Sequence, residues 1–177
     1  MGLTPTAGIP MSTRSGDLDP GIVWYLARTE KMRAKQFNEM VNFQSGLLGV
    51  SETSSDMRDL LSREKEDIRA AEAVALFCYQ VKKWIGAFAA AMGGVDTLVF
   101  TGGIGENAPP IRQRISENME FLGIRLDPIR NDANAPIISE DHSPTTVRVM
   151  KTDEEWIIAR STYNLICEQG REEKEEE

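Results

Sequence analysis

Apolar residues recur every three or four positions in three stretches of this chain and bunch into short runs elsewhere. Asp19-Pro20 reads as an N-cap followed by a first-turn proline, and predicts a helix with Val23, Leu26 and Ala27 facing inward. A second helix is expected from Ala34 to Gln44 on the apolar face Phe37, Met40 and Val41, stopping at Ser45-Gly46. Leu47-Leu48-Gly49-Val50 follows as a buried connector. Ser62 is a candidate N-cap, with Glu64, Glu66 and Asp67 where a helix dipole favours negative charge. That helix should run to Met92 and end at Gly93-Gly94, roughly 45 Å at 1.5 Å per residue. Its predicted inner face is Ile68, Ala71, Ala75, Cys78, Ile85 and Phe88, with Ala87 and Ala89 to Ala91 allowing close approach.

The remaining apolar positions come in runs. Leu98-Val99-Phe100-Thr101 predicts a strand covered on both faces. Gly102, Gly103 and Gly105 turn the chain, and Pro109-Pro110 opens a helix whose stripe is Ile111, Ile115 and Met119. A short strand is expected over Leu122–Asp127, then loop over 128–146 with Ile137-Ile138 as a possible edge strand, then a strand over Val147–Lys151. Thr152 with Glu155 three residues on is a capping box for a last helix that buries Ile157 or Ile158 and Leu165. Residues 1–18 read as loop or short strand, because Pro5, Gly8, Pro10 and Gly16 interrupt any long helix. Alternating helices and strands place the chain in the α/β class.

With 177 residues and 41% apolar content, the chain can bury one real core but not two. It has no apolar run near the roughly 18 residues of a membrane helix, and no basic-then-apolar leader in the first ten residues. A net charge of −8 with no basic stripe argues against nucleic acid as a partner. Five glutamates in 171–177 mark that run as a solvated, disordered tail, leaving 1–170 as the domain. Cys78 and Cys167 both fall in predicted helices and read as buried free thiols of a reducing cytoplasm. The single histidine, His142, lies in a polar loop, so neither a histidine metal site nor a catalytic triad is available.

Strand, glycine turn and helix N-terminus form a common seat for a nucleotide, and also an ordinary tight turn. Gly103-x-Gly105-x-x-Ala108, with Asp127 about 20 residues later, fits the dinucleotide fingerprint too, and local pattern leaves these readings open. Arg14, framed by Ser12, Thr13, Ser15 and Gly16, has a planar fork suited to phosphate or carboxylate. Ser51 to Asp59, dense in hydroxyls and acids, reads locally as a turn or cap.

Five blocks in order carry a more specific signal. They are Thr4-Pro5-x-x-Gly8-x-Pro10-Met11-x-Thr13-Arg14-Ser15-Gly16-Asp17-x-Asp19-Pro20, Ser45-Gly46-Leu47-Leu48-Gly49, Ser54-Ser55-Asp56-Met57-Arg58-Asp59, Phe100-Thr101-Gly102-Gly103-Ile104-Gly105-Glu106-Asn107 and Thr152-Asp153-Glu154-Glu155. Together they resemble the acetate kinase (acetate/propionate kinase) family over about residues 3–166, which decides against the dinucleotide reading. The resemblance implies an actin-like ATPase fold with ATP in an interdomain cleft, this chain being the C-terminal part with an incomplete sheet. It implies that Arg14 stabilises the transferring phosphoryl group and that Pro5 lines the pocket for the acyl methyl. Asp56, Met57 and Arg58 would contact the adenosine side, Gly103, Ile104, Gly105, Glu106 and Asn107 would seat adenine and ribose, and Glu154 would associate with magnesium. Ser12 departs from the family's usual glycine and adds a Cβ beside Arg14.

The resemblance also implies what the blocks leave out. An N-terminal domain with an asparagine and a substrate arginine, the catalytic aspartate, a histidine near the phosphate and a glycine-containing phosphate loop have no counterpart here. The expected function is therefore part of a cytoplasmic, homodimeric ATP:acetate or propionate phosphotransferase, inactive alone and completed by a separate N-terminal half. The alternative is a non-catalytic nucleotide-binding or dimerisation module of the same ancestry.

Overall fold

The computed structural model describes residues 3–175, without the side chains of Glu154 and of residues 167–175. Two short helices come first, α1 (Gly21–Thr29) and α2 (Ala34–Phe43), then α3 (Gly46–Ser51), α4 (Met57–Arg63) and the long α5 (Ile68–Met92). Strand β1 (Thr97–Phe100) leads into α6 (Gly102–Asn107) and α7 (Pro109–Ser116). A 3-10 turn at Glu120–Leu122 and α8 (Pro128–Asp132) return the chain to β2 (Thr146–Val149), and α9 (Glu154–Glu175) closes it.

The expected long helix starts at Ile68 and not after Ser62, which lies in the last turn of a separate helix, because two aspartates cap separate starts. Asp56 accepts from the Arg58 backbone N–H at 2.9 Å and opens α4. Asp67 accepts from Arg69 and Ala70 and opens α5. Ser62 caps nothing: its hydroxyl donates to the Asp59 carbonyl. Glu64, between the two helices, is drawn to Arg114 of α7 by paired bonds of 2.7 and 2.6 Å. The inner face of α5 is rotated from the predicted stripe: Ala70, Ala73, Val74, Phe77, Cys78 and Ala89 are buried, whereas Ile68 and Phe88 are exposed. Small residues on that face let α3 and α4 pack closely against α5. Burial pushes the Cys78 thiol up to about 11, so it stays protonated and inert.

The core lies where α3, α4, α5 and α7 meet the start of the sheet, around Leu47, Leu60, Val74, Phe77, Phe100, Ile111 and Met119. Strands β1 and β2 pair parallel, with Leu98 opposite Val147 and Phe100 opposite Val149. β1 is covered on one face only: Phe100 is buried and Val99 exposed, since no layer lies over the other side among the described residues. The glycine segment expected as a turn is the helix α6. The strand expected at Leu122–Asp127 reduces to an isolated bridge between Leu126 and Ser139, because Gly123 adopts φ +75° and Asp127 caps α8. Ile138 is buried as an edge position would be, and Ile137 bridges Arg148.

Three apolar expectations are not met. None of the residues of α1 is buried. Ile157, Ile158 and Leu165 of α9 stand exposed, with no described element packed over them. The connector Leu47–Val50 is helical, within α3. The α9 cap is Asp153, which accepts from the Trp156 N–H at 2.9 Å; Thr152 is engaged elsewhere. The backbone of α9 continues to Glu175, while the side chains of Cys167 and of the acidic run 171–177 lie outside the described residues. No described helix is long and apolar enough to cross a membrane.

Candidate nucleotide site

A cavity of about 400 Å³ opens between the start of α4 and the α6–α7 segment. Asp56, Met57 and Arg58 line one side; Gly103, Ile104 and Asn107 line the other; Ser12 reaches its edge. Six of the eight residues assigned to the nucleotide thus share one space, although the two segments are some 45 residues apart in sequence. The floor is apolar, with Met57 buried and Leu61 and Ile104 half-buried. A flat apolar face with a few polar groups at its rim suits a heterocyclic base.

Asp56 and Arg58 form the rim. Arg58 Nη2 donates to Asp56 Oδ2 at 2.6 Å and Nε to Oδ1 at 3.1 Å. The Arg58 side-chain bonds, helped by its backbone N–H, hold the Asp56 carboxyl at about 2, well below the usual carboxylate range. The ion pair keeps the exposed guanidinium plane in a fixed place at the cavity mouth.

The three glycines of the loop serve three purposes. Gly102 adopts φ +72°, which suits glycine. Gly105 lies against the strand it follows: a Cβ there would stand 3.2 Å from the Phe100 carbonyl carbon. At Gly102 and at Gly103 a Cβ would meet nothing within 4 Å, and of these two Gly103 is the one that lines the cavity. Glu106 does not line the cavity; its carboxylate is turned to Gly102 and Thr152.

Arg14 is held beside the cavity by the α2–α3 junction. The backbone N–H groups of Ser45, Leu47 and Leu48 donate to the carbonyls of Thr13, Met11 and Ser12 at 2.9 to 3.0 Å, and Ser15 N–H donates to Val41. Gly46, at φ +61°, lies so close that a Cβ would stand 2.0 Å from the Met11 carbonyl oxygen and 2.6 Å from that of Arg14. The Ser45–Gly49 block is therefore the mount of the Arg14 loop, a role its sequence did not disclose. Arg14 itself is half-buried and outside the cavity lining, and Pro5 is exposed and apart from it. The Glu154 side chain lies outside the described residues, and among those described no cluster of three or more His, Cys, Asp or Glu stands ready for a metal. A second cavity of about 420 Å³, beside α7 and Ile124–Leu126, contains none of the residues singled out by sequence.

Arg112 was not foreseen. Adjacent to Ile111 in α7, it is 0% exposed, and all five guanidinium N–H groups are satisfied. Nε donates to Asn131 Oδ1; Nη1 to the carbonyls of Gly105 and Glu106; Nη2 to the Asn131 carbonyl and Asn134 Oδ1, all at 2.6 to 3.0 Å. Asn131 in turn donates to the Pro109 carbonyl at 3.0 Å. The C-terminal end of α6 is pinned from behind by a buried cation that has no carboxylate bound to it. The only signal in the sequence is a charged residue next to an apolar stripe, which ordinarily means solvent.

A glycine helix after a parallel strand, beside a cavity lined by apolar and charged residues, places the chain among α/β domains. Comparison narrows the class: the model of the acetokinase family matches residues 1–160. The acetate kinase of Alkaliphilus metalliredigens is 47% identical over 169 residues, 94% of this chain and 43% of that protein. The crystal structure of Porphyromonas gingivalis acetate kinase superposes with a TM-score of 0.86 at 44% identity, over 94% of this chain and 43% of that one. A propionate kinase from Francisella tularensis gives 0.84 at 38% identity, over 90% and 41%. The fold is accordingly the actin-like one of these kinases, with a small, incomplete parallel sheet. The chain belongs to the acetokinase family, and it spans about 43% of the length of these acetate kinases.

Proposed function

We propose that this chain supplies the nucleotide side of an ATP:acetate phosphotransferase, which moves a phosphoryl group reversibly between ATP and acetate or propionate. The observation that carries this reading is the convergence of Asp56, Met57 and Arg58 with Gly103, Ile104 and Asn107 on one cavity. Adenine lies on the Met57 and Ile104 floor, under the Arg58 guanidinium, and the Gly103 backbone leaves space for the ribose. In the reaction a carboxylate oxygen of the acid attacks the γ-phosphorus, the bond to the β–γ bridging oxygen breaks, and ADP leaves with the electron pair. Arg14 neutralises charge on the moving phosphoryl group. Glu154 would help to hold a divalent cation, which would supply further charge neutralisation there. Pro5 borders the acyl methyl.

The acid itself is held by residues of the remaining N-terminal portion, as are the phosphate contacts, so the chain alone is inactive. It works as a dimer in the cytoplasm. Titration calorimetry with AMP, ADP and ATP tests the site: all three bind weakly and within a few-fold of one another, and Ile104→Trp, which fills the floor, abolishes the heat. ATP binding far more tightly than AMP, or unchanged AMP binding in Ile104→Trp, overturns the assignment.

A further inference from the structure

We infer that Glu106 is a positioning residue, not a nucleotide contact, and that it couples the glycine helix to the segment that starts α9. A single carboxylate oxygen, Oε1, accepts three hydrogen bonds: from Gly102 N–H at 3.0 Å, Thr152 N–H at 2.9 Å and Thr152 Oγ1 at 3.0 Å. These bonds, those from Thr152 first, lower the carboxyl's pKa from its ordinary value. The meeting of residues 46 apart follows from the sheet. Parallel register sets Phe100 opposite Val149, and Met150 N–H extends the ladder to the Phe100 carbonyl at 2.9 Å. Both strands therefore release their chains at the same end, two residues before Gly102 on one side and three before Thr152 on the other.

Each end of this strut is attached to something that matters. On one side, Gly102 is the first residue of α6, whose neighbours Gly103 and Ile104 line the cavity. On the other, Thr152 precedes Asp153, the cap of α9, and Glu154, the residue assigned to the metal. Arg112 holds the far end of α6 through the Gly105 and Glu106 carbonyls, and the Glu106 carboxylate ties its first residue to Thr152. A displacement of α6 by a seated nucleotide is passed to the turn that presents Glu154. This inference rests on the nucleotide reading of the cavity.

Hydrogen–deuterium exchange of the full chain, with AMP as the probe, tests it in wild type, Glu106→Gln and Glu106→Ala. In wild type AMP slows exchange over both 102–108 and 151–157. Glu106→Ala keeps the first effect and loses the second. Glu106→Gln keeps both, because an amide carbonyl accepts the same three bonds. Without AMP, Glu106→Ala already speeds exchange at Gly102 and Thr152 about five- to tenfold, the factor an ordinary hydrogen bond contributes. Protection of 151–157 by AMP in Glu106→Ala overturns the coupling. Loss of protection at 102–108 in Glu106→Gln makes Glu106 a charged ligand contact and overturns it equally. If AMP protects nothing at 102–108 in wild type, the nucleotide reading fails. The strut is then judged by the AMP-free arm, where unchanged exchange in Glu106→Ala refutes it.

Discussion

Replacing Arg112 by Met removes a charge from the interior and should still destabilise the protein. Met nearly conserves the volume, so the cost is polar. Of the five acceptors the guanidinium serves, Asn131 Oδ1 and the Asn131 carbonyl are reached by fully buried bonds. The others are part-buried and can recover a water molecule. Two stranded buried acceptors cost about 1–3 kcal/mol each. Relief of the guanidinium desolvation, which pulls its pKa below the usual arginine value, offsets part of that. The expected net loss is about 3 kcal/mol, a large share of the ~5–15 kcal/mol of a typical domain. With a urea dependence of about 2 kcal/mol per molar, the unfolding midpoint followed by far-ultraviolet circular dichroism should fall by roughly 1.5 M. Arg112→Lys should recover little, because an ammonium cannot span donors arranged in a planar fork. A Met variant within about 0.5 kcal/mol of wild type would refute the reasoning, since the five bonds would then merely balance the cost of burying the cation.

Two further substitutions probe the site's supports. The depressed Asp56 carboxyl contributes to the start of α4 fully above its ordinary value of 3.8, and that contribution fades as pH falls through about 2. The protection factor of the Arg58 amide, its exchange corrected for the intrinsic pH dependence, should accordingly fall between pH 4 and 2 in wild type, and be lower and flat over that range in Asp56→Ala. Gly46→Ala would drive a Cβ into two backbone carbonyls of the Arg14 loop, and should lower stability by about 2 kcal/mol or more, read from thermal melting. Gly86→Ala, where a Cβ meets nothing and φ is not positive, is the control and should be neutral or mildly stabilising.

The parts of this fold visible in the sequence are those with local causes. Pro109 and the Ile111 and Ile115 stripe act within a few residues of themselves and are where pattern placed them, and Met119 is buried just past the end of α7. Asp19 is not the N-cap of α1, a place that Pro20 takes, although its carboxylate accepts from the Gly21 N–H at 2.6 Å. The Ser51–Asp59 run, whose hydroxyls and acids suit a turn or cap, supplies the cap of α4, with Asp56 accepting from the Arg58 N–H at 2.9 Å. What the pattern hid depends on distant partners. Glu64, just past the end of α4, pairs with Arg114, fifty residues on, where the pattern had the long helix already begun. Thr152 forms half of a plausible capping box, yet Glu106 takes its hydroxyl and leaves the cap to Asp153. Gly105 fits a ligand fingerprint but is required by the Phe100 backbone. Such choices between two satisfied local patterns are made by tertiary contacts, which spacing alone does not encode.

On the proposed reading this chain carries the nucleotide side of a phosphotransferase, and the acid is held by the part of the acetate kinases that it does not cover. The most direct test mixes the purified chain with the N-terminal portion of a related acetate kinase. Acetyl phosphate formed from ATP and acetate is then trapped as its hydroxamate. No product is expected from either part alone. Product is expected from the mixture, and none from a mixture containing Arg14→Ala, since losing one electrostatic contact to the transferring group costs about 10²–10³ in rate. Turnover by the chain alone, unaffected by Arg14→Ala, would contradict the account.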